Sequence, residues 1–180
     1  MRELLVTGIV VLGVSAAAPG LRADPAKVQA CALVTVDEIS AAIGDKVGGQ
    51  HETDTVVANG PAKGQPLVGC MWKAGGQGIV TVNVMPAATG AARAAGLAKL
   101  HETGEKLKKQ GWTENKQSFG PSITCATLTP PPAQQQVPSV VACFGEAKGM
   151  ALSVGSMSPG GKLPVGNMKA LFDKAAARLP

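Results

Sequence analysis

One stretch of the chain alternates hydrophobic and polar residues with the period of two that is typical of a β-strand. In residues 79–85 three valines alternate with Thr81 and Asn83, so the valines lie on one face and point to a core. Residues 67–73 form a second β-prone stretch, and a Gly-rich segment at 74–78 joins the two. The pattern therefore predicts a β-hairpin.

A similar hairpin is predicted in the second half of the chain. Residues 137–146 and 150–157 are rich in hydrophobic positions, and a short turn containing Lys148 and Gly149 separates them. Residues 123–128 precede this hairpin as a further strand, and the Pro- and Gln-rich segment 130–136 that follows them is typical of a loop.

Periodic apolar positions predict a helix after each hairpin. The first helix is expected at 87–110, with Ala94, Leu97, Leu100 and Leu107 on the side that faces a sheet. The second is expected at 164–178, where Pro164 suits a helix N-terminus.

A shorter helix is predicted at 35–44. Thr35 and Glu38 have the spacing of a capping box, and Gly44 is a typical C-terminal stop. The later part of 47–57 holds β-prone residues and suggests one more strand.

The two hairpin-helix units resemble each other, which predicts an imperfect internal duplication with half-repeats at about 31–110 and 123–179. The duplication is imperfect because the capped helix after the first cysteine is replaced by a Pro/Gln loop in the second half. Chance similarity of two such units is the alternative. Either way, hairpins followed by amphipathic helices predict an α+β fold with helices packed on an antiparallel sheet.

The first 23 residues have the layout of a secretory signal peptide. An apolar run without charges follows Met1-Arg2, and Pro19-Gly20 and small residues follow the run. Cleavage is expected after Ala23, which leaves 24–180 as a single α+β domain in the periplasm or outside the cell. A buried N-terminal helix is the alternative, but no membrane span is expected after cleavage.

Composition and charge exclude some functions. The chain has 180 residues, of which 45% are hydrophobic and 16% charged, and this balance is typical of a globular protein rather than a disordered one. Removal of 1–23 lowers the net charge from +5 to +4. No basic stripe with interleaved aromatic residues is present, so a nucleic-acid partner is not expected.

Four cysteines in an exported chain predict two disulfide bonds. Four cysteines allow three pairings, and the half-repeats favour Cys31–Cys70 and Cys125–Cys143. A structural zinc site is a weaker alternative because no Cys-x-x-Cys pair is present. A lipid anchor on Cys31 is another alternative, since residues 28–31 faintly match a lipobox, although charged residues separate them from the apolar run.

The segment from Cys31-Ala32-Leu33-Val34-Thr35 to Cys70-Met71-Trp72 resembles a family of uncharacterised exported bacterial domains. Their pattern is Cys-x-Leu-Leu-Thr, a short helix that ends in Gly, and then Cys-x-Trp on a strand. The resemblance implies an envelope or periplasmic location and supplies no active-site residues, because the family has no known function.

Candidate chemistry is sparse. The two histidines occur as His51-Glu52 and His101-Glu102, but a metalloprotease helix needs a second His four residues on, and Thr55 and Glu105 stand there. His51, Glu52, His101 and Glu105 are the weak candidates for a metal site, which they would form if the two pairs met across the fold. Solvated residues on polar faces are the simpler explanation.

These observations predict a non-catalytic binding or interaction module without a cofactor. No nucleophile motif or phosphate-binding loop stands in the sequence, and the expected partner is an envelope protein or a small ligand. The alternative is a hydrolase or metal-binding protein whose site is assembled from dispersed residues.

Overall fold

The computed structural model describes residues 27–58, 62–75, 78–134, 136–158 and 164–180, without the side chains of 90–93, 97 and 100. The predicted signal peptide, residues 1–23, lies outside the described residues, so it stays a prediction. Seven strands and three α-helices occur in the described part of the chain. In chain order they are α1 (Val36–Ile43), β1 (Val47–Val56), β2 (Pro66–Ala74), β3 (Gly78–Pro86), α2 (Gly90–Lys109), β4 (Thr113–Phe119), β5 (Ile123–Thr129), β6 (Ser139–Ala147), β7 (Met150–Ser158) and α3 (Val165–Arg178).

The strands form one antiparallel sheet in the order β1-β2-β3-β7-β6-β5-β4. This sheet with its helices confirms the predicted α+β fold. The order is symmetric about its centre, where the β2-β3 hairpin and the β6-β7 hairpin meet through the pairing of β3 with β7. The halves nevertheless differ, because Cys31 lies in a short 3-10 helix (Ala30–Ala32) whereas Cys125 lies in β5. The internal duplication therefore remains a prediction.

One strand, β4, was not predicted. Its sequence is Thr-Glu-Asn-Lys-Gln-Ser-Phe, and most of its side chains are exposed. As an edge strand, β4 pairs only with β5 and has no row of core-facing apolar residues of its own. Without such a row, the hydrophobic pattern carries no signal for a strand.

The main core lies between one face of the sheet and the helices α1 and α3, and this face is called the core face. Val82 of β3 and Val154 of β7 are fully buried there, as is Trp72 of β2. Helix α3 covers β5, β6 and β7 through Met168, Leu171, Phe172 and Ala175. The predicted helix at 164–178 therefore packs on the sheet as expected.

Helix α1 has the predicted capping box and ends at Gly44 in the left-handed conformation, φ 71°. The Thr35 side chain accepts from the Glu38 N–H at 3.2 Å, and the Glu38 carboxylate accepts from the Thr35 N–H at 2.9 Å. Helix α1 lies antiparallel to α3, because Glu38 meets Arg178 at one end and the Asn167 side chain donates to the Ala42 carbonyl at the other.

The Glu38 carboxylate is the electrostatic link between these two helices. Arg178 donates to both of its oxygens, at 2.6 and 2.8 Å, and also to the Leu33 carbonyl. Lys174 lies 3.1 Å away, and only 17% of the Glu38 side chain is exposed. The Arg178 guanidinium, followed by the Thr35 N–H, holds the pKa of Glu38 far below its usual range.

Helix α2 lies at the edge of the sheet. Its closest sheet neighbour is the edge strand β4, Ala94 is exposed, and Leu107 is only half-buried. The side chains of Leu97 and Leu100 are outside the described set. Surface ion pairs stabilise the second half of the helix, where Glu102 lies 2.8 Å from Lys99 and 2.6 Å from Lys106.

Candidate functional site

The second face of the sheet is here called the outer face. Residues paired directly across antiparallel strands point to the same side, so the registers assign each side chain to a face. Cys70, Val82 and Val154 are paired in sequence across three strands and lie on the core face. The next residues along each strand, Asn83 and Ser153 among them, therefore lie on the outer face.

A row of neutral polar residues crosses the outer face near the middle of the sheet. The registers pair Thr53 with Gly69, Gly69 with Asn83, and Asn83 with Ser153, and these four residues are called the polar row. The Asn83 amide donates to the Ser153 hydroxyl at 3.4 Å. Phe144 of β6 is paired with Ser153 and ends the row. None of the four residues of the polar row has a side chain that titrates near neutral pH.

Gly69 creates the room in which two of these groups converge. A Cβ atom at this position would lie 2.7 Å from Oδ1 of Asn83 and 2.9 Å from Oγ1 of Thr53. Both side chains therefore lean over the glycine from opposite sides. Two neutral oxygen acceptors, one on a hydroxyl that also donates, come together above a stretch of bare backbone. Such an arrangement can hydrogen-bond one ligand group from two sides.

Four residues from the polar row along β3 and β7 lies a second set, called the apolar row. It consists of Ile79, Met157, Val140 and Leu128, which are paired in that order across β3, β7, β6 and β5. Val140 is 9% exposed, and the other three are partly exposed. This row gives the outer face a hydrophobic strip that runs across the strands.

Small residues separate the two rows. Thr81 is paired with Gly155, Gly155 with Ala142, and Ala142 with Ala126. A Cβ atom at Gly155 would lie 3.1 Å from that of Ala142, so a larger residue here would crowd its neighbour. The side chains between the polar row and the apolar row are therefore short.

Charged residues stand at the ends of the apolar row and not within it. Lys73 is paired with Ile79 at the β2 end, and Glu114 is paired with Leu128 at the β4 end. Glu114 lies 3.0 Å from Lys116, and a Cβ atom at Gly104 of α2 would lie 3.7 Å from its carboxylate. Helix α2 thus borders the outer face at the β4 end.

The structure does not bring the weak metal candidates together. His51 and Glu52 are consecutive in β1, so their side chains point to opposite faces of the sheet. His101 and Glu105 lie on α2, which borders β4 at the other edge of the sheet. No group of three His, Cys, Asp or Glu residues with metal-binding geometry occurs in the described part of the chain.

Glu105 is engaged with lysine instead. Its carboxylate lies 3.0 Å from Nζ of Lys108. This hydrogen bond lowers the pKa of Glu105, and His101 adds a weaker effect in the same direction. The pair that shares one helix face is therefore part of a solvated, ion-paired surface.

The structure joins Cys31 to Cys70 and Cys125 to Cys143, the pairing that the half-repeats favoured. Cys125 and Cys143 are directly opposite each other on β5 and β6, whereas Cys31 ties the 3-10 helix to the core face of β2. A cysteine in a disulfide has no thiol for lipidation, so the structure argues against the Cys31 lipid anchor. Two disulfides fit an exported protein.

No helix among the described residues has the length and apolar character needed to cross a membrane.

Comparison with known proteins identifies a solved structure with a similar fold. No family model matches the chain, and no curated protein matches its sequence. Among solved structures, the chain is similar to the crystal structure of the extracellular domain of PknH from Mycobacterium tuberculosis. The TM-score is 0.58 at 12% sequence identity, and the alignment covers 87% of this chain and 96% of that domain. At this identity the likeness shows a shared fold.

Proposed function

We propose that this protein is an exported, non-catalytic binding module of the periplasm or the extracellular space, whose ligand lies on the outer face of the sheet. Its two disulfides and its likeness to an extracellular domain support the location. Membership of the exported bacterial family with the Cys-x-Leu-Leu-Thr and Cys-x-Trp pattern is part of the same proposal, supported by the residues from Cys31 to Trp72.

The observation that carries the proposal is the convergence of Thr53 and Asn83 above Gly69. Polar groups on the face of a sheet that turn toward one another over bare backbone suit a ligand that donates or accepts hydrogen bonds. A larger residue in place of Gly69 would push both side chains apart. The glycine therefore matters for the shape of the face as well as for the strand.

The chemistry of the polar row favours binding over catalysis. Hydroxyl and amide groups hydrogen-bond a ligand but do not exchange protons at neutral pH without a base to activate them. The registers place two titratable residues close to the row on the outer face: His51, two residues from Thr53 in β1, and Glu146 of β6, which is paired with Ala151, two residues from Ser153. Neither is paired with Asn83 or Ser153. A small ligand or a segment of an envelope protein would be held there without being transformed.

A ligand that co-purifies with the protein tests this proposal. The protein is isolated from its native host under mild conditions, and bound molecules are identified by native mass spectrometry. Asn83→Ala removes the central amide and should abolish retention of the molecule, because the row then loses the group that donates to Ser153 and converges with Thr53 above Gly69. Asn115→Ala is the matched control, since Asn115 is exposed on the edge strand β4.

Circular dichroism establishes that both variants are folded before the comparison. Equal retention by the wild type and by both folded variants would refute binding at the polar row. Chemical conversion of the retained molecule by the wild type, but not by Asn83→Ala, would overturn the non-catalytic assignment.

A further inference from the structure

The apolar row distinguishes the outer face from an ordinary solvated sheet surface. In a sheet with one face in water, the solvent side usually carries polar residues. Here Ile79 and Met157 are paired neighbours, large, apolar and partly exposed, and Leu128 is partly exposed on the far side of Val140, which is 9% exposed. Partly exposed apolar residues aligned across the strands in this way indicate contact with an apolar ligand group.

From this strip we infer that the ligand is a single-chain amphiphile with an acidic headgroup, whose chain lies along the apolar row and whose headgroup binds at Lys73. The inference rests on the proposed function, because it names the ligand class for the same face. The apolar row spans three inter-strand spacings, roughly 14 Å. The row therefore accommodates a medium-length acyl chain that runs across the strands.

The residues beside the apolar row are small. Gly155, Ala142 and Ala126 present little or no side chain, but Gly155 is buried and Ala142 is 3% exposed. A bound chain therefore contacts the side chains of Met157 and Leu128 rather than the backbone beside them. The polar row remains free to bind a hydroxyl or ester group of the same molecule.

The charges at the two ends set the direction of the ligand. Lys73 is exposed and makes no ion pair with another described residue, so its ammonium group can attract an anion. At the opposite end the carboxylate of Glu114, whose side chain is 16% exposed, is paired with Lys116 at 3.0 Å, so this ion pair offers an acidic headgroup no unpaired charge. The acidic headgroup is therefore expected at β2, and the end of the chain is expected near β5.

Dodecanoate is a suitable probe, with dodecanol as its uncharged counterpart. The wild-type protein, stripped of bound molecules, should bind dodecanoate saturably in isothermal titration calorimetry below the micellar concentration of the probe. Lys73→Met should weaken dodecanoate binding by about fivefold, the effect of one partly exposed ion pair, and leave dodecanol binding unchanged. Lys63→Met, which removes an exposed lysine from the turn before β2, is the matched control.

The chain-binding strip is tested separately. Met157→Gln keeps the length of the side chain and places an amide in the middle of the row. Binding of both probes should fall by about tenfold, since the amide must lose water without gaining a partner. Ile79→Thr is a second variant that suits a strand, in case Met157→Gln does not fold. Equal dodecanoate affinity in the wild type and in these folded variants would overturn the inference.

The two proposals fail in different ways. If dodecanoate does not bind but the co-purified molecule still depends on Asn83, the amphiphile inference is wrong and the binding function stands. If neither the probe nor a co-purified molecule depends on any outer-face residue, both are wrong. Dodecanoate that binds equally well to wild type and Lys73→Met also refutes the assigned headgroup position.

Discussion

Removal of each disulfide should destabilise the protein by an amount that follows from the loop it closes. Cys31–Cys70 spans 39 residues and Cys125–Cys143 spans 18. In the chain-entropy account, these separations correspond to about 3.9 and about 3.2 kcal/mol at 25 °C. The loops do not overlap in sequence, so the two contributions should add to about 7 kcal/mol in the fully reduced protein.

The structural setting of the two bonds sharpens the comparison. Cys125 and Cys143 remain neighbours through the backbone pairing of β5 and β6 when their bond is removed. The 3-10 helix, by contrast, is joined covalently to the sheet by Cys31 and otherwise packs on it through Ala30, Leu33 and neighbouring apolar residues. Loss of Cys31–Cys70 should therefore also loosen this segment, which adds to its entropic cost.

The assay is urea unfolding followed by tryptophan fluorescence, since Trp72 is fully buried on the core face. The double variants Cys31→Ala/Cys70→Ala and Cys125→Ala/Cys143→Ala are compared with the wild type, with and without reductant. A cross-link changes the surface exposed on unfolding, so the comparison uses the free energy of unfolding in water rather than the midpoint alone. Typical domains have a free energy of unfolding of about 5–15 kcal/mol, so a loss of about 7 kcal/mol should leave the reduced protein largely unfolded or barely stable.

A larger loss for the 18-residue loop than for the 39-residue loop would refute this reasoning, as would a reduced wild type with unchanged stability.

Two further predictions concern the packing of the core face and the ion pair that links α1 to α3. Gly145→Ala places a Cβ atom 2.7 Å from the carbonyl oxygen of Ser122 and should lower the free energy of unfolding by about 2 kcal/mol. Gly166→Ala is the control: it lies in open space on α3 and should leave the free energy of unfolding unchanged or raise it slightly. Equal effects of the two variants in denaturant unfolding would contradict the packing at Gly145. Because Arg178 depresses the pKa of Glu38 in the folded state, the ionised carboxylate stabilises the fold above its unfolded pKa of about 4.3. The stability advantage of the wild type over Glu38→Gln should therefore shrink as the pH falls below about 5, and a pH-independent difference in thermal unfolding would contradict it.

Much of the secondary structure could be predicted from the sequence because its signals are local. The alternating valines of β3, the capping box of α1 and the apolar face of α3 each depend on residues within a few positions of one another. The disulfide pairing followed from the similarity of the two halves. Strand β4 was missed because its residues are polar and its place in the sheet depends on β5 alone.

The candidate site could not be predicted, because the pairing of distant strands creates it. Asn83 and Ser153 are 70 residues apart and become neighbours only when β7 pairs with β3. In the sequence, Thr81 and Asn83 are simply the polar positions of an alternating strand, and Met157 is one more apolar residue at the end of another. A shift of one residue in the β3–β7 register would exchange the faces of β7 and bury Ser153 and Met157 in the core. The sequence by itself determined which segments become strands and helices, whereas the tertiary register decided which side chains meet on the outer face.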